Sequence, residues 1–112
     1  MNATADTDIW TASLRSACLE VDGEIQEAWR GLTRTEQRIA ALVADGQDRL
    51  GSKEAQARFG LARSGTNSRT AERMADEAIV VPDPDTASGW KITDPLFGLW
   101  LRSGRRWPPG IS

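Results

Sequence analysis

The fold of this chain is decided by residues 52–81, which read SKEAQARFGLARSGTNSRTAERMADEAIVV. The stretch opens with Ser52, a favourable N-cap for a short helix over residues 53–59. Gly60 would end this helix, because glycine readily adopts the left-handed backbone conformation found just beyond a helix C-terminus. These residues predict the first half of a helix-turn-helix.

A further helix, the third counted from residue 33, is predicted after a tight turn over residues 61–65. Ser64 or Thr66 can cap it, and its apolar spacing runs to about residue 78. Two helices joined by a tight turn at this separation are typical of a helix-turn-helix. The residues expected on the buried side of this third helix are Ala71, Met74, Ala75 and Ala78.

Two helices are predicted upstream. Residues 33–36, TRTE, form a capping box in which the first threonine and the glutamate bond to free amides of the first turn, and Gly46 would end that helix. Between residues 9 and 29, apolar side chains recur every three or four positions, which predicts one long amphipathic helix. Gly23 inside this run costs about 1 kcal/mol relative to alanine and could split the helix in two. The recurring residues are Trp10, Leu14, Cys18, Val21, Ile25 and Trp29.

Downstream, the sequence predicts a two-stranded wing and a closing helix. Residues 79–81 and 90–93 have the character of two strands joined by a turn-rich loop. Asp94 is placed to cap a last helix with Pro95 at its first position, where the missing proline amide has no cost. Residues 103–112 contain two prolines and two glycines without periodicity, which predicts a poorly ordered tail.

The predicted fold class is mainly α: a winged helix-turn-helix with a three-helix core, a two-stranded wing, an extra N-terminal helix and a closing C-terminal helix. A chain of 112 residues has apolar surface for only one core. We therefore predict an amphipathic helix over residues 1–31, the winged helix-turn-helix over 32–102 and a flexible tail over 103–112. No apolar run approaches the roughly 18 residues of a transmembrane helix and no signal sequence is evident, so a cytoplasmic location is expected.

Composition removes the commonest catalytic designs. The chain contains no histidine and a single cysteine, Cys18. It therefore offers no histidine-based acid, triad or dyad, no zinc-ligand cluster and no internal disulfide. Cys18 falls on the apolar face of its helix, where a core role is expected. We expect a protein that is not an enzyme and that needs no cofactor or metal.

Basic residues are concentrated in the predicted helix-turn-helix. The net charge is −2, yet residues 49–73 hold six basic and two acidic side chains, whereas residues 1–48 hold four basic and nine acidic ones. The turn and the third helix carry side chains of the types that reach phosphates and base edges, and Asn67 is expected to project outward and read an adenine edge. The residues expected to contact duplex DNA are Arg63, Ser64, Thr66, Asn67, Ser68, Arg69, Arg73 and, from the wing, Lys91.

The predicted wing also leaves a second function open. Its tip, Asp83-Pro84-Asp85, is acidic and would be repelled by phosphate. The alternative is a protein-interaction or dimerisation module without DNA binding. In that case the N-terminal helix and Trp107, which lies beside two arginines and could be exposed, would hold a protein partner or a second copy. The other four tryptophans are expected to pack in the core.

The stretch WKITDPLFGLWLR, residues 90–102, resembles the end of the winged-helix domain that follows the P-loop, AAA-type ATPase core in many archaeal and bacterial ATPases. The resemblance extends upstream through residues 32–46 and 52–81. It implies a DNA-binding winged helix, acting as a bacterial transcription regulator or as the detached output domain of an ATPase. In that family a wing strand runs into Asp-Pro-Leu and a helix with an aromatic residue, and the matching residues here are Ile92, Asp94, Pro95, Leu96, Phe97 and Trp100.

The chain departs from that family because it carries no ATPase core. Residues 60–67, GLARSGTN, have glycines at the separation of a phosphate loop, but Thr66 stands where the lysine is required, so no nucleotide hydrolysis is expected. Residues 32–46 also resemble the opening of LuxR-type helix-turn-helix domains of bacterial regulators. That family lacks a wing, so the strands predicted within residues 79–93 favour the first resemblance.

Overall fold

The computed structural model describes residues 3–62 and 64–107. In these ranges the chain is mainly helical, with five helices and a two-stranded antiparallel sheet, an architecture compatible with a winged helix. The predicted order of elements is confirmed. The helices are α1 Ala3–Gly31, α2 Arg34–Asp45, α3 Lys53–Phe59, α4 Ser64–Asp76 and α5 Pro95–Arg102, and the strands are β1 Val80–Pro82 and β2 Trp90–Ile92.

The ends of α2 and α3 are fixed by the caps that the sequence predicts. The Thr33 hydroxyl accepts a hydrogen bond from the Glu36 amide, and the Glu36 carboxylate accepts one from the Thr33 amide at 2.9 Å. The Ser52 hydroxyl likewise accepts from the amide three residues on. Gly46 (φ 77°) and Gly60 (φ 66°) end the two helices in the left-handed conformation. Local polar chemistry therefore determines the boundaries of both helices.

The core lies between α2, α4, α5 and the hairpin formed by β1 and β2, and α2 contacts all the other three. Ile39 and Leu42 of α2, Met74 of α4 and Val80 of β1 are completely buried. Burying an aliphatic side chain of this size contributes about 1.5–3 kcal/mol. The amphipathic α2 is therefore the central element of the fold.

The first helix is continuous over 29 residues, so Gly23 does not split it. Cys18 and Ile25 are buried, as the apolar stripe predicts. Trp10 does not follow that prediction, because its side chain is 73% exposed. A helix of this length spans about 44 Å, and the molecule measures 54 × 26 × 23 Å. The body is too short to cover the whole apolar stripe of α1, so Trp10 lacks a packing partner among the described residues.

The structure corrects one prediction at each end of α4. The helix begins at Ser64, so Thr66 lies inside it and does not cap it. Ala71 and Met74 are buried as predicted and Ala75 is partly buried, but Ala78 is exposed with a left-handed φ of 61°. The amide of Ala78 donates to the Ala75 carbonyl, and the next amide donates to the Met74 carbonyl. This pair of bonds is a Schellman motif, which ends the helix before Ala78 can reach the buried side.

The two strands pair with Val80 opposite Ile92, Val81 opposite Lys91 and Pro82 opposite Trp90. Each strand lies within one residue of its predicted range. Downstream of the hairpin, Asp94 caps α5 as predicted, because its carboxylate accepts from the Leu96 amide at 2.9 Å. The hairpin and α5 therefore follow each other with little intervening chain.

Residues 103–107 differ from the flexible tail that the sequence predicts. Gly104 and Arg105 both have left-handed backbone angles and turn the chain back toward α1. Trp107 is only 6% exposed, and its indole Nε1 donates to Oδ1 of Asp22 at 2.9 Å. A tryptophan that is buried with its N–H satisfied in this way packs as a core residue. The prediction that Trp107 is available to a partner is therefore wrong, while the predictions for residues 108–112 lie outside the described residues.

None of the helices in the described ranges combines the length and the apolar character needed to cross a lipid bilayer.

Candidate nucleic-acid interface

The two sides of α4 differ in burial. One side packs against α2 and β1, and the residues that it buries include Thr70, Ala71 and Met74. The other side is exposed to solvent. We define the α4 surface as the exposed side chains among the residues predicted to contact DNA, which are Thr66, Ser68, Arg69 and Arg73.

Arg69 and Arg73 are the cations of the α4 surface. They lie four residues apart on one helix, so their Cβ atoms are about 6 Å apart and both guanidinium groups face the same side. Among the described residues, neither guanidinium has an ion-pair partner. The same helix carries the acidic Glu72 and Asp76. The positive charge is therefore local to the two arginines and does not extend over the whole helix.

Asn67 does not join this surface, so the prediction that it projects outward is wrong. Its side chain is 0% exposed. Its Nδ2 donates to the Ala62 carbonyl at 2.8 Å, which ties the turn before α4 to the helix. The Oδ1 atom is buried with no hydrogen-bond partner among the described residues. Asn67 precedes Ala71 by four residues, so the spacing that identified the buried side of the helix also placed Asn67 on it.

Two further residues predicted to contact DNA are Arg63 and Ser64. Arg63 lies outside the described residues, so nothing is known of its position, and the side chain of Ser64 lies outside them too. The backbone of Ser64 begins the helix. The predicted role of both residues in contacting DNA stays a prediction.

Lys91 is exposed on β2 but is not gathered with the arginines of α4. It lines a hollow of about 390 Å³ between the hairpin, the end of α2 and α5. Arg102 lines the same hollow, and no described residue of α4 does. Arg102, in the last turn of α5, was not among the residues predicted to contact DNA, although that helix directly follows the wing. Lys91 and Arg102 form a separate basic site.

One of the two carboxylates at the acidic tip of the hairpin has a structural role. Asp83 is partly buried, and its Oδ1 accepts from the Asp85 amide at 3.0 Å. Such an aspartate turn stabilises the loop backbone. Asp85 is exposed. Both carboxylates therefore place negative charge at the hairpin tip, and that of Asp85 projects into solvent.

A second concentration of arginines was not foreseen. Its members come from α2, α3 and the segment after α5, and they are distant from one another in sequence. Only the spacing of Arg34 and Arg38, four residues apart on the exposed side of α2, gave a local signal. These arginines line a second hollow, of about 540 Å³, and are Arg34, Arg38, Arg58 and Arg105.

The described residues offer little for catalysis or metal binding. Within these ranges no group of three or more histidine, cysteine, aspartate or glutamate side chains could hold a metal ion. Burial raises the pKa of the Cys18 thiol above its ordinary value. At neutral pH this thiol is therefore protonated and is a poor nucleophile.

Two exposed guanidinium groups and two hydroxyl-bearing side chains on one helix can bind phosphates and the edges of guanine. Neither a family model, nor a curated protein, nor a solved structure matches this chain. The geometry of the α4 surface is therefore the basis on which a function is inferred.

Proposed function

We propose that this chain is a DNA-binding protein of the winged helix-turn-helix kind that places α4 in the major groove. The observation that carries the proposal is the pair of exposed arginines, Arg69 and Arg73, on the side of α4 opposite its buried residues. The major groove of B-DNA, about 12 Å wide, admits an α-helix. The tight turn between α3 and α4 sets the angle at which the helix would enter.

The roles of individual residues follow from their types. Arg69 and Arg73 bind phosphate oxygens or the O6 and N7 atoms of guanine, since a planar guanidinium makes paired hydrogen bonds to either. Thr66, in the first turn of α4, is placed to donate to a phosphate. Asn67 takes no part in base reading in this proposal, because it is committed to the turn before the helix.

The proposed affinity is modest. The net charge is −2, and the hairpin tip adds local repulsion through Asp85. Two arginines and the helix amides would make about two or three phosphate contacts, which corresponds to a log–log salt slope of about −2 to −3. Binding is therefore proposed to be strong only at low salt or with a second binding surface.

Two cellular roles are compatible with the proposed DNA binding. The protein acts alone as a cytoplasmic regulator of bacterial transcription, or it serves as the output domain of an ATPase that is a separate chain. Purification from its native cells tests the second form, since an ATPase should then accompany it in a stoichiometric complex.

The test of DNA binding is fluorescence anisotropy with a labelled random-sequence duplex over a salt series from about 50 to 200 mM. Arg69→Ala and Arg73→Ala should each weaken binding and reduce the salt slope by about 1. Arg15→Ala, which removes an exposed arginine from α1, is the matched control and should change nothing. No binding at the lowest salt, or equal losses in all three variants, would refute the proposal.

The second candidate function, self-association through α1, is favoured by one observation. Trp10 is 73% exposed and Leu19 is 56% exposed, so α1 retains apolar surface that its own body does not cover. Sedimentation velocity tests it: the wild type should form dimers that Trp10→Ala abolishes. A monomeric wild type at high protein concentration excludes this candidate. Trp107 has no part in it, because Trp107 is buried.

A further inference from the structure

A shallow groove of about 540 Å³ lies between the end of α1, the exposed side of α2, the end of α3 and the segment after α5. A smaller hollow of about 240 Å³ adjoins it and shares Trp29 and Arg105 with it. We call the two together the arginine groove. Its lining includes no carboxylate, and no described residue of α4 or of the hairpin. The residues that carry the argument are Trp29, Arg34, Arg38, Arg58, Phe59 and Arg105.

Most of the positive charge in the groove is not neutralised. Arg58 is paired, since its Nη1 lies 2.8 Å from Asp48 and 3.4 Å from Asp45. Arg38 donates only to the neutral Gly60 carbonyl, at 2.8 Å. Arg34 and Arg105 have no carboxylate partner among the described residues. In a chain with a net charge of −2, a concave surface that holds uncompensated arginines attracts an anionic ligand.

The aromatic rings of the groove are partly occupied by its own cations. The Arg105 guanidinium lies over the Trp29 ring, 5.5 Å from the centroid, and the Arg58 guanidinium lies over the Phe59 ring at 5.1 Å. Trp100 also packs edge-on against Trp29, with centroids 5.9 Å apart. Single-stranded nucleic acids bind by stacking their bases on free aromatic faces. Trp29 and Phe59 are half-buried, and a guanidinium covers one face of each ring. A ligand can therefore reach their apolar edges more readily than their faces.

Arg105 is held in the groove at a conformational cost. Its φ of 66° is left-handed, a region that is strained for a residue with a side chain. The Arg105 amide donates to the Trp100 carbonyl at 2.9 Å, which completes the turn after α5. The burial of Trp107 two residues later anchors the segment against α1. The backbone of Arg105 is thus held in place before any ligand arrives, and its guanidinium lies over the Trp29 ring.

We propose that the arginine groove binds an acidic segment of a partner protein in an extended conformation. Carboxylates accept paired hydrogen bonds from the guanidinium groups, and apolar side chains between them contact the edges of Trp29 and Phe59. An extended chain can lie along this shallow groove with its carboxylates beside the guanidinium groups. The site is separate from the α4 surface, so the partner and DNA can be bound at the same time.

Arg105→Gly is the most informative variant. It removes the guanidinium at a backbone angle that glycine prefers, so it should leave the melting temperature unchanged or higher. The probe is a fluorescein-labelled peptide that alternates glutamate and leucine, measured by anisotropy at low salt. We expect Arg105→Gly to weaken binding by about threefold to tenfold, and Arg34→Ala to do the same. Because stability is preserved, a loss of binding reports the groove itself.

Three comparisons complete the experiment. A peptide with glutamine in place of glutamate should bind at least about tenfold more weakly. The double variant Arg69→Ala/Arg73→Ala should bind the acidic peptide as the wild type does, which separates this site from DNA binding. The proposal is overturned if the wild type does not bind the peptide, if Arg105→Gly binds it equally well, or if the α4 variant loses as much. Tighter binding of an oligothymidine strand that Arg105→Gly abolishes would instead assign the groove to single-stranded nucleic acid.

Discussion

Asn67 contributes a single hydrogen bond across the turn between α3 and α4, from its Nδ2 to the carbonyl of Ala62. Its other polar atom, Oδ1, is buried without a partner among the described residues. The corner between α3 and α4 therefore leaves one polar group desolvated. The bond holds the backbone just before α4, so Asn67 supports the orientation of the exposed arginines without contacting a ligand.

Asn67→Ala should lower the free energy of unfolding by about 0.5–1.5 kcal/mol, the net contribution of one hydrogen bond, because it removes the bond to the Ala62 carbonyl. Urea denaturation measures the change. The control is Thr66→Ala, an exposed neighbour for which a change within about 0.5 kcal/mol is expected. If Asn67→Ala is as stable as the wild type, then the hydrogen bond to Ala62 contributes nothing to the fold.

Ala78→Gly should raise the free energy of unfolding by about 1 kcal/mol. Ala78 has a φ of 61°, which is strained for alanine and free of strain for glycine. Ala57→Gly, at an exposed position inside α3, is the opposite control and should lower stability by about 1 kcal/mol. Thermal or urea denaturation of both variants decides the matter, and a loss of stability in Ala78→Gly would contradict the prediction.

The sequence predicted the buried side of α4 correctly but was misleading at Asn67 and Ala78. The spacing of Ala71 and Met74 identified the buried side correctly. Asn67 belongs to the same side by its spacing, but its chemistry suggested a base contact. Ala78 has the right spacing and chemistry, yet the helix ends before it. Where a helix ends depends on carbonyl partners in three dimensions, which the spacing of apolar residues does not reveal.

At the scale of elements, the helices with polar caps could be predicted almost to the residue. Ser52 and Gly60 delimit α3, and Asp94 begins α5, because each cap is a local interaction between residues close in sequence. The segment after α5 could not be predicted in this way. Trp107 meets Asp22 across 85 positions of the chain, and no local pattern encodes such a contact. The arginine groove escaped prediction for the same reason.

Trp107→Phe should lower the free energy of unfolding by about 0.5–1.5 kcal/mol, because phenylalanine keeps an aromatic ring but cannot donate to Asp22. Asp22→Asn is the matched variant, since an amide oxygen still accepts the indole N–H. Asp22→Asn should therefore lower the free energy of unfolding by less than Trp107→Phe does. Hydrogen exchange of the α1 amides measures the local effect, and faster exchange in Trp107→Phe is expected. Unchanged exchange would mean that the indole N–H does not help to hold α1.

At the scale of the whole molecule, charge is divided between separate surfaces. The exposed arginines of α4, the pair formed by Lys91 and Arg102, and the arginine groove are three basic sites on a chain whose net charge is −2. A basic segment over residues 49–73 is evident in the sequence, but the distribution of the cations over three sites is not. That division depends on which helix faces point in the same direction.

Asp85→Lys should tighten binding to duplex DNA and steepen the salt slope by about 1, provided that the hairpin approaches the phosphates. The control is Glu20→Lys, which changes the net charge by the same amount on the exposed side of α1. It should have little effect on the slope. Anisotropy over the same salt series measures both variants, and equal effects would show that only the total charge matters.

The contact between Trp107 and α1 also bears on how the chain folds as it is synthesised. α1 leaves the ribosome before the other described elements, whereas Trp107, whose indole donates to Asp22 of that helix, is among the last described residues to emerge. Extensive contacts between elements join α2, α3, α4, α5 and the strands to one another, and α1 is not among them. The helices α2 to α5 and the hairpin can therefore assemble before α1 packs against them. During that interval Cys18 and Ile25 lack their final cover, and a chaperone that binds exposed apolar helices would have its best opportunity to engage the nascent chain.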